Sequence, residues 1–202
     1  MDSLRYNKEE LLREEIVQAA RQLFQQYGLF KTTMEDIAKA MGRGKSTLYY
    51  YYKSKDEIFD AVVITEINEI FETIKNEVEK ADSASEKIKT YLTVMIKTVR
   101  NKINLYKIVT GELKENITTR AKLKEQYDNR EIQFVKSIFS YGIETGEFTE
   151  EIEKDIELLS FLIVSSLRSF SVELLTNDKY ASGEERIEYL ASILIRGIRK
   201  TT

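Results

Sequence analysis

The chain has 202 residues, of which 42% are hydrophobic and 32% charged, and this length allows a small binding unit plus one larger helical domain. Cysteine and histidine are absent, which excludes disulfides, thiol chemistry and the commonest general base and metal ligand, while the absence of proline permits long helices. The net charge is −3, yet residues 1–56 hold ten Lys/Arg against eight Asp/Glu, so a locally basic end precedes an acidic remainder.

The sequence has no signal-peptide pattern at its start, since charged residues run from Asp2 to Glu15. The longest charge-free apolar run, Leu158 to Leu167, has ten residues and is too short to span a bilayer. We therefore expect a cytoplasmic protein without a membrane partner.

Residues 9–27 are predicted to form the first helix, which Gly28 ends. Its apolar stripe is expected to pack behind the following two helices and to complete a three-helix core; the stripe consists of Ile16, Ala19, Ala20, Leu23, Phe24 and Tyr27.

The stretch from Thr33 to Glu57 predicts two short helices joined by a glycine turn, which is a helix-turn-helix. In the first, the apolar residues Met34, Ile37, Ala38 and Met41 follow the i, i+3, i+4, i+7 spacing. Glycines 42 and 44 are predicted to end this helix by adopting positive φ.

The second short helix is predicted to begin at about Lys45 and to have an unusual outer face. Ser46, Tyr49, Tyr50 and Lys53 share that face, while Leu48 and Tyr52 point to the core and Tyr51 does so in part. A helix of about eight residues is about 12 Å long, which matches the width of the DNA major groove. Five cations and no acid lie between Asp36 and Asp56, namely Lys39, Arg43, Lys45, Lys53 and Lys55. DNA binding is therefore favoured over a merely solvated basic turn.

Three segments with their spacing resemble the N-terminal domain of the TetR family of transcriptional regulators: AARQLFQQYG (19–28), TTMEDIAKAMG (32–42) and STLYYYYKSKDEIF (46–59). The sequence departs from the common family pattern at Arg43, Gly44 and Ser46, which affects the expected operator but not the fold. Residue by residue, the resemblance implies DNA contacts from Thr33, Lys45, Ser46, Thr47, Tyr49 and Tyr50. Lys55, beside a helix start, is expected to hold a phosphate.

The remainder predicts further long helices, and hence an all-α fold of about nine helices. We expect a DNA-binding domain at 1–54 and a helical ligand-binding and dimerisation domain at 55–202. Capping boxes at Ser54/Glu57, Ser83/Glu86 and Ser182/Glu185 mark three helix starts. The expected elements are helices at 55–80, 83–100, 119–145 (capped by Gly146), 150–176 and 183–199, with a short segment at 103–113.

The last two helices are predicted to form a four-helix interface between two copies of the chain. Apolar residues occupy nearly all sides between Ile156 and Leu175, so that this helix must be covered on two sides. TetR-like proteins dimerise in this way. The expected interface residues are Leu162, Phe170, Ile187, Leu190, Leu194 and Ile198.

Large side chains between Lys55 and Arg168 suit a largely apolar pocket for a small-molecule effector, as TetR-like proteins carry here. For each of these side chains taken alone, the alternative to a ligand contact is an ordinary position in the core. The ligand is expected to be mostly apolar, because the cations placed near this region are Lys97, Arg100 and Arg168. The candidates are Phe71, Tyr91, Met95, Tyr106, Tyr127, Phe134, Ile138 and Phe161.

No catalytic, metal or cofactor constellation is found in the sequence. The tripeptide Gly44-Lys45-Ser46 lacks the earlier glycine and the strand of a phosphate-binding loop. The sequence therefore predicts no enzyme but a dimeric, sequence-specific DNA-binding regulator, a repressor that a small, mostly apolar ligand releases from a roughly palindromic operator. The alternative is a helical ligand-binding or protein-interaction module that no longer reads DNA.

Overall fold

A computed structural model describes residues 2–101, 117–176 and 183–200. Within these ranges the fold is all-α, as predicted, without a strand, and none of the helices is long and apolar enough to cross a membrane. The eight α-helices found there compare with the expected nine or so. They are α1 (Asp2–Tyr27), α2 (Met34–Ala40), α3 (Lys45–Tyr51), α4 (Lys55–Glu79), α5 (Ala84–Asn101), α6 (Ile117–Glu144), α7 (Ile156–Thr176) and α8 (Gly183–Ile198).

The described residues divide into two compact units, and the border falls within α4, between Asn68 and Glu69. The first unit contains α1, α2, α3 and the start of α4. The second contains the rest of α4 and α5 to α8. The expected division of the chain into domains at 54/55 stays a prediction.

The first unit is built around one apolar core to which all of its helices contribute. Fully buried side chains come from α1 (Phe24), α2 (Ile37), α3 (Leu48) and α4 (Phe59). The rings of Phe24 and Phe59 pack edge to face at 5.8 Å. Burying each such side chain stabilises the fold by about 1.5–3 kcal/mol, so this core holds the two short helices in place.

Two details of α1 differ from the sequence prediction. The helix begins at Asp2 and not at residue 9, because no glycine or proline interrupts the preceding residues. Tyr27, which was placed in the apolar stripe, is 53% exposed because it is the last residue of the helix.

The turn between α2 and α3 uses its two glycines differently. Gly42 has φ +62°, as predicted for a helix exit. The same expectation for Gly44 is wrong: its φ is −75° and it is the N-cap of α3, a position that adopts extended backbone in any residue. Gly44 offers no side chain to the free N–H groups of α3, so the helix start lacks a side-chain cap.

In the second unit, α5 packs against α6, α7 and α8, and α6 packs against α7. Gly146, at φ +72°, follows α6 as predicted. The prediction of one helix over 150–176 is wrong at its start, because Glu150–Asp155 is a 3₁₀-helix and α7 begins at Ile156. The Thr149 hydroxyl accepts from Glu151 N only two residues on, which favours a tight first turn.

Side-chain caps start two of the long helices. Ser83 Oγ accepts from Glu86 N at 3.2 Å, and the carboxylate of Glu147 accepts from the first N–H groups of α5, at 2.7 and 3.1 Å. Before α4, Ser54 Oγ accepts from Glu57 N at 3.2 Å, while the Glu57 carboxylate reaches back to Lys53 N at 2.7 Å. The predicted cap at Ser182 and the segment 103–113 lie outside the described residues.

Candidate nucleic-acid interface

The outer face of α3 presents hydroxyls, aromatic rings and a cation to solvent. Ser46, Tyr49 and Tyr50 are exposed on this face, Tyr50 to 71%, whereas Leu48 and Tyr52 are buried, as the spacing predicted. Lys53 is exposed too, but its predicted place on the helix is wrong, because α3 ends at Tyr51 and Tyr52 adopts extended backbone. Thr47 is half-buried beside this face. Leu48 therefore anchors the helix in the core and leaves the opposite side free to enter a groove.

Lys45, at the start of α3, has neighbours on both short helices. Its Nζ lies 3.8 Å from a carboxylate oxygen of Glu35 in α2 and 6.0 Å from the ring centre of Tyr49. Both charged side chains are more than half exposed, so this pair contributes no more than about 1 kcal/mol. A DNA phosphate can compete with Glu35 for the ammonium group.

Thr33 is the N-cap of α2 and belongs to a complete capping box. Its Oγ1 accepts from Asp36 N at 3.2 Å and donates to Asp36 Oδ2 at 2.6 Å, and its own N–H donates to the same oxygen at 2.9 Å. These two hydrogen bonds from Thr33 hold the pKa of Asp36 below its ordinary value. The Thr33 hydroxyl is exposed, so the predicted DNA contact would have to share it with the cap.

Lys55 closes the loop before α2 with its ammonium group. Nζ donates to the carbonyl oxygens of Leu29 at 2.7 Å and of Thr32 at 3.0 Å. An ammonium group has three N–H donors, so one remains for the predicted phosphate contact. The role of Lys55 therefore includes holding the loop between α1 and α2, which the sequence did not indicate.

The pocket candidates of the second unit are placed on four helices. Tyr91, Met95 and Ile138 are buried, while Phe71, Phe134 and Tyr127 are half-buried. The rings of Phe71 and Phe134 pack edge to face at 5.6 Å. Phe161 is exposed on α7, and Tyr106 lies outside the described residues.

Charged side chains adjoin these aromatic residues, and of these the sequence analysis named Arg168 alone. The guanidinium carbon of Arg130 lies 4.0 Å from the ring centre of Phe71 and 5.2 Å from that of Tyr127. Glu131 accepts from Tyr91 Oη at 2.8 Å and from Arg168 at 2.7 Å, and Arg168 also pairs with Asp128.

The position of Glu131 in the sequence carried a signal of this cluster. It follows Tyr127 by four residues and precedes Val135 by four, so it stands in the apolar stripe of α6. Burial raises its pKa above the ordinary value, although the Tyr91 hydrogen bond and the charge of Arg130 act in the opposite direction. Burial also raises the pKa of Tyr91, together with the charge of Glu131. This part of the unit is thus less apolar than expected.

Two exposed apolar faces lie on α7 and α8. On α7, Leu158, Phe161 and Leu162 are each at least 50% exposed, with the i, i+3, i+4 spacing of one helix face. Of the predicted interface residues, Leu162 and Leu190 are exposed, Phe170 and Leu194 are half-buried, and Ile187 and Ile198 are buried within the chain itself. The exposed face of α8 consists of Tyr189, Leu190 and Ile193.

Residues 16–62 match the family model of bacterial regulatory proteins of the tetR family. The fatty acid metabolism regulator protein of Bacillus subtilis is 22% identical to the chain over 185 residues, which cover 91% of this chain and 94% of the relative.

Solved structures with the same fold include a transcriptional regulator from Cytophaga hutchinsonii, which is 29% identical. It superposes with a TM-score of 0.74 over 93% of this chain and 98% of its own. The regulator FadR from Bacillus subtilis in complex with stearoyl-CoA is 19% identical, with a TM-score of 0.72 over 92% of this chain and 98% of its own.

Proposed function

Because the chain belongs to the TetR family of transcriptional regulators, whose family model matches residues 16–62, we propose that it is a homodimeric repressor that a ligand with a long apolar chain releases from DNA. Members of this family regulate transcription and are not enzymes. A protein that acts on the bacterial chromosome works in the cytoplasm, which is where we place it.

The observation that carries the DNA-reading part of the proposal is the outer face of α3. A helix of seven residues, anchored from beneath by Leu48, exposes Ser46, Tyr49 and Tyr50 together. Hydroxyls and ring edges of this kind can contact base edges and thymine methyl groups in the major groove. Lys45 at the start of the helix and Lys53, two residues beyond its end, supply charge for the phosphates on either side.

The two exposed apolar faces support the dimer. Six large apolar side chains on α7 and α8 stand about half in solvent, which a monomeric protein rarely tolerates as a patch. We propose that the same faces of a second copy cover them, with Ile187 and Ile198 supporting the interface from beneath. A two-fold dimer would present two α3 helices to half-sites one or more DNA turns of about 34 Å apart.

The ligand class follows from the second unit and from the relatives. Phe71, Phe134 and Ile138 offer apolar contacts for a chain, and Arg130, whose guanidinium stacks on the Phe71 ring, offers charge for a polar end. A relative is named for fatty acid metabolism, and a protein of the same fold binds stearoyl-CoA. We therefore propose a long-chain acyl thioester or a related acyl compound as the effector.

Release would pass through α4, which continues without interruption from the first unit into the second. A ligand that shifts this helix would move α3 out of register with its half-site. A 100-fold loss of DNA affinity requires about 2.7 kcal/mol of coupling, and linkage then requires DNA to weaken ligand binding by the same factor.

Fluorescence anisotropy with the DNA that flanks the gene of this protein tests the proposal. The control is a shuffled duplex of the same length and composition. We expect the flanking duplex to bind at least 100-fold more tightly, and stearoyl-CoA to raise its Kd while free coenzyme A does not. Equal affinity for both duplexes would contradict the DNA-reading role. Tight acyl binding that left the Kd for DNA unchanged would contradict the release mechanism.

A further inference from the structure

Arg13, on α1, contacts the end of α3 through both its hydrogen-bond donors and its flat face. Its Nη1 donates to the carbonyl oxygen of Tyr51 at 3.1 Å. Its guanidinium carbon lies 5.5 Å from the ring centre of Tyr51 and 5.3 Å from that of Tyr52, within the range of about 6 Å for a cation–π contact. A single side chain thus holds the backbone and two rings at the C-terminal end of α3.

The ring of Tyr51 extends this contact to the outer face of α3. The rings of Tyr50 and Tyr51 are 5.0 Å apart and nearly perpendicular, at 79°, which is the preferred edge-to-face arrangement. Tyr51 is half-buried, whereas Tyr50 is one of the most exposed aromatic residues of the unit. The contacts therefore run from Arg13 through Tyr51 to the ring of Tyr50.

A short helix needs such a contact because it cannot hold its own geometry. A helix of seven residues is unstable by itself, and α3 lacks a side-chain cap at Gly44. Leu48 near its middle and Tyr52 just past its end join it to the core. Arg13 adds a contact with the Tyr51 carbonyl and both rings at that end, which further restrains the rotation of the helix about Leu48.

We propose that Arg13 is a positioning residue for DNA recognition, which orients the Tyr50 ring through Tyr51 without binding the phosphate backbone itself. This inference rests on the DNA contact of Tyr50 in the proposed function. Arg13 precedes the residues 16–62 that match the family model, so the family match assigns it no role.

The planar guanidinium is essential to this role. It can stack on a ring and donate to a carbonyl in the same plane, whereas an ammonium group at the end of a lysine is a compact point charge. Replacing Arg13 by lysine therefore keeps the charge but loses the geometry. A direct phosphate contact would respond in the opposite way, since either cation can neutralise a phosphate.

Binding measurements on Arg13→Ala, Arg13→Lys, Tyr50→Ala and the Arg13→Ala/Tyr50→Ala double variant test the proposal. Each variant is titrated onto the tightest duplex recovered from a random library and onto a random duplex, over a range of salt concentrations. Lys154→Ala, which removes one exposed positive charge from the second unit, is the matched control. Stoichiometric titration corrects every Kd for the fraction of active protein, and thermal midpoints report on folding.

We expect Arg13→Ala to weaken specific binding about five- to tenfold and random binding less than twofold, with an unchanged salt slope. Arg13→Lys should behave like Arg13→Ala within about twofold. In the Tyr50→Ala background the Arg13 substitution should have no further effect, because the two residues act through the same contact.

Four results would overturn the inference. A salt slope that falls by about one in Arg13→Ala and recovers in Arg13→Lys would identify a phosphate contact. Specific and random affinities that fall by the same factor, together with the thermal midpoint, would identify a purely structural role. If Tyr50→Ala weakened specific binding and Arg13→Ala did not, Tyr50 would contact DNA but Arg13 would not position it. If Tyr50→Ala itself had no effect, the proposed contact of Tyr50 would fail, and the inference with it.

Discussion

Two residues that are expected to contact DNA already have partners within the protein. Lys45 forms an ion pair with Glu35, and the Thr33 hydroxyl caps α2. Although the net charge of the protein is −3, the excess of Lys and Arg in residues 1–56 gives one basic surface, so that DNA binds in one orientation.

Glu35→Gln is expected to strengthen DNA binding. The substitution removes a negative charge 3.8 Å from the Lys45 ammonium and close to the approaching phosphates. A unit charge at about 4 Å in water is worth about 1 kcal/mol, so we expect a two- to fivefold lower Kd at low salt and a smaller gain at high salt. Anisotropy titrations would measure this, with Glu72→Gln as the matched exposed control. A weaker or unchanged affinity at low salt would show that Lys45 does not face the phosphates.

Glu131 makes the stability of the protein depend on pH. Because burial raises its pKa above the ordinary 4.5, the folded protein binds more protons than the unfolded chain between pH 4.5 and the raised pKa. The contribution of Glu131 to the free energy of unfolding therefore falls as pH rises through that window. Four charged or titratable groups contact Glu131 or lie beside it: Tyr91 on α5, Arg168 on α7, and Asp128 and Arg130 on α6.

Glu131→Gln should flatten this pH dependence, since an amide does not titrate. Denaturant unfolding at one protein concentration, from pH 4.5 to about 7.5, would measure the difference from wild type. The exposed Glu150→Gln is the control and should leave the slope unchanged. A slope for Glu131→Gln that equals the wild-type slope would mean that the pKa of Glu131 is not raised in the folded protein.

At the scale of elements, close packing of α6 against the residues that follow it leaves no space for a side chain at Gly142. Gly142 lies inside α6, and the chain folds back so that the N–H groups of Glu147 and Phe148 both donate to its carbonyl oxygen at 2.9 Å. A Cβ at Gly142 would approach three ring carbons of Phe148 more closely than 3.0 Å. Phe148 is fully buried, so its ring or the backbone of α6 would have to shift to admit this atom.

Gly142→Ala should therefore destabilise the protein, although alanine is the better helix former. Overpacking of this kind costs about 1–3 kcal/mol. Gly197→Ala in α8 is the matched control, because a Cβ there meets no atom within 4 Å, and it should be neutral or stabilising by up to about 1 kcal/mol. Denaturant unfolding measures both. Equal effects of the two substitutions would show that the contact with Phe148 is easily relieved.

The sequence predicted most helices and the core face of α3, because apolar spacing and glycine positions act locally. Leu48 and Tyr52 are buried as their spacing required, and Gly28, Gly42 and Gly146 end their helices with positive φ. The start of α7 was missed, because a dense run of acids gives no sign of the difference between a 3₁₀- and an α-helix. The contacts of Arg13 with Tyr51 and of Lys55 with Leu29 were also missed, since they join residues 38 and 26 positions apart.

For the whole molecule, the exposed faces of α7 and α8 lead to a prediction about assembly. Leu190→Asp would place a charge in the proposed interface, and we expect monomers or aggregates that no longer bind the operator. Leu11→Asp is the control, because Leu11 is similarly exposed but lies on α1. Light scattering at micromolar concentration measures the mass. A wild-type monomer, or a dimer that Leu190→Asp leaves intact, would contradict the proposed interface.

The central claim is that two copies of this chain read one DNA site, and selection from a library of random duplexes tests it most directly. We expect the enriched sequences to contain an inverted repeat whose half-sites are centred one or two turns apart, at about 34 Å per turn. Tyr49→Ala should lose this enrichment while it still binds DNA weakly. Enrichment of a single half-site without symmetry, or of no sequence at all, would contradict the account.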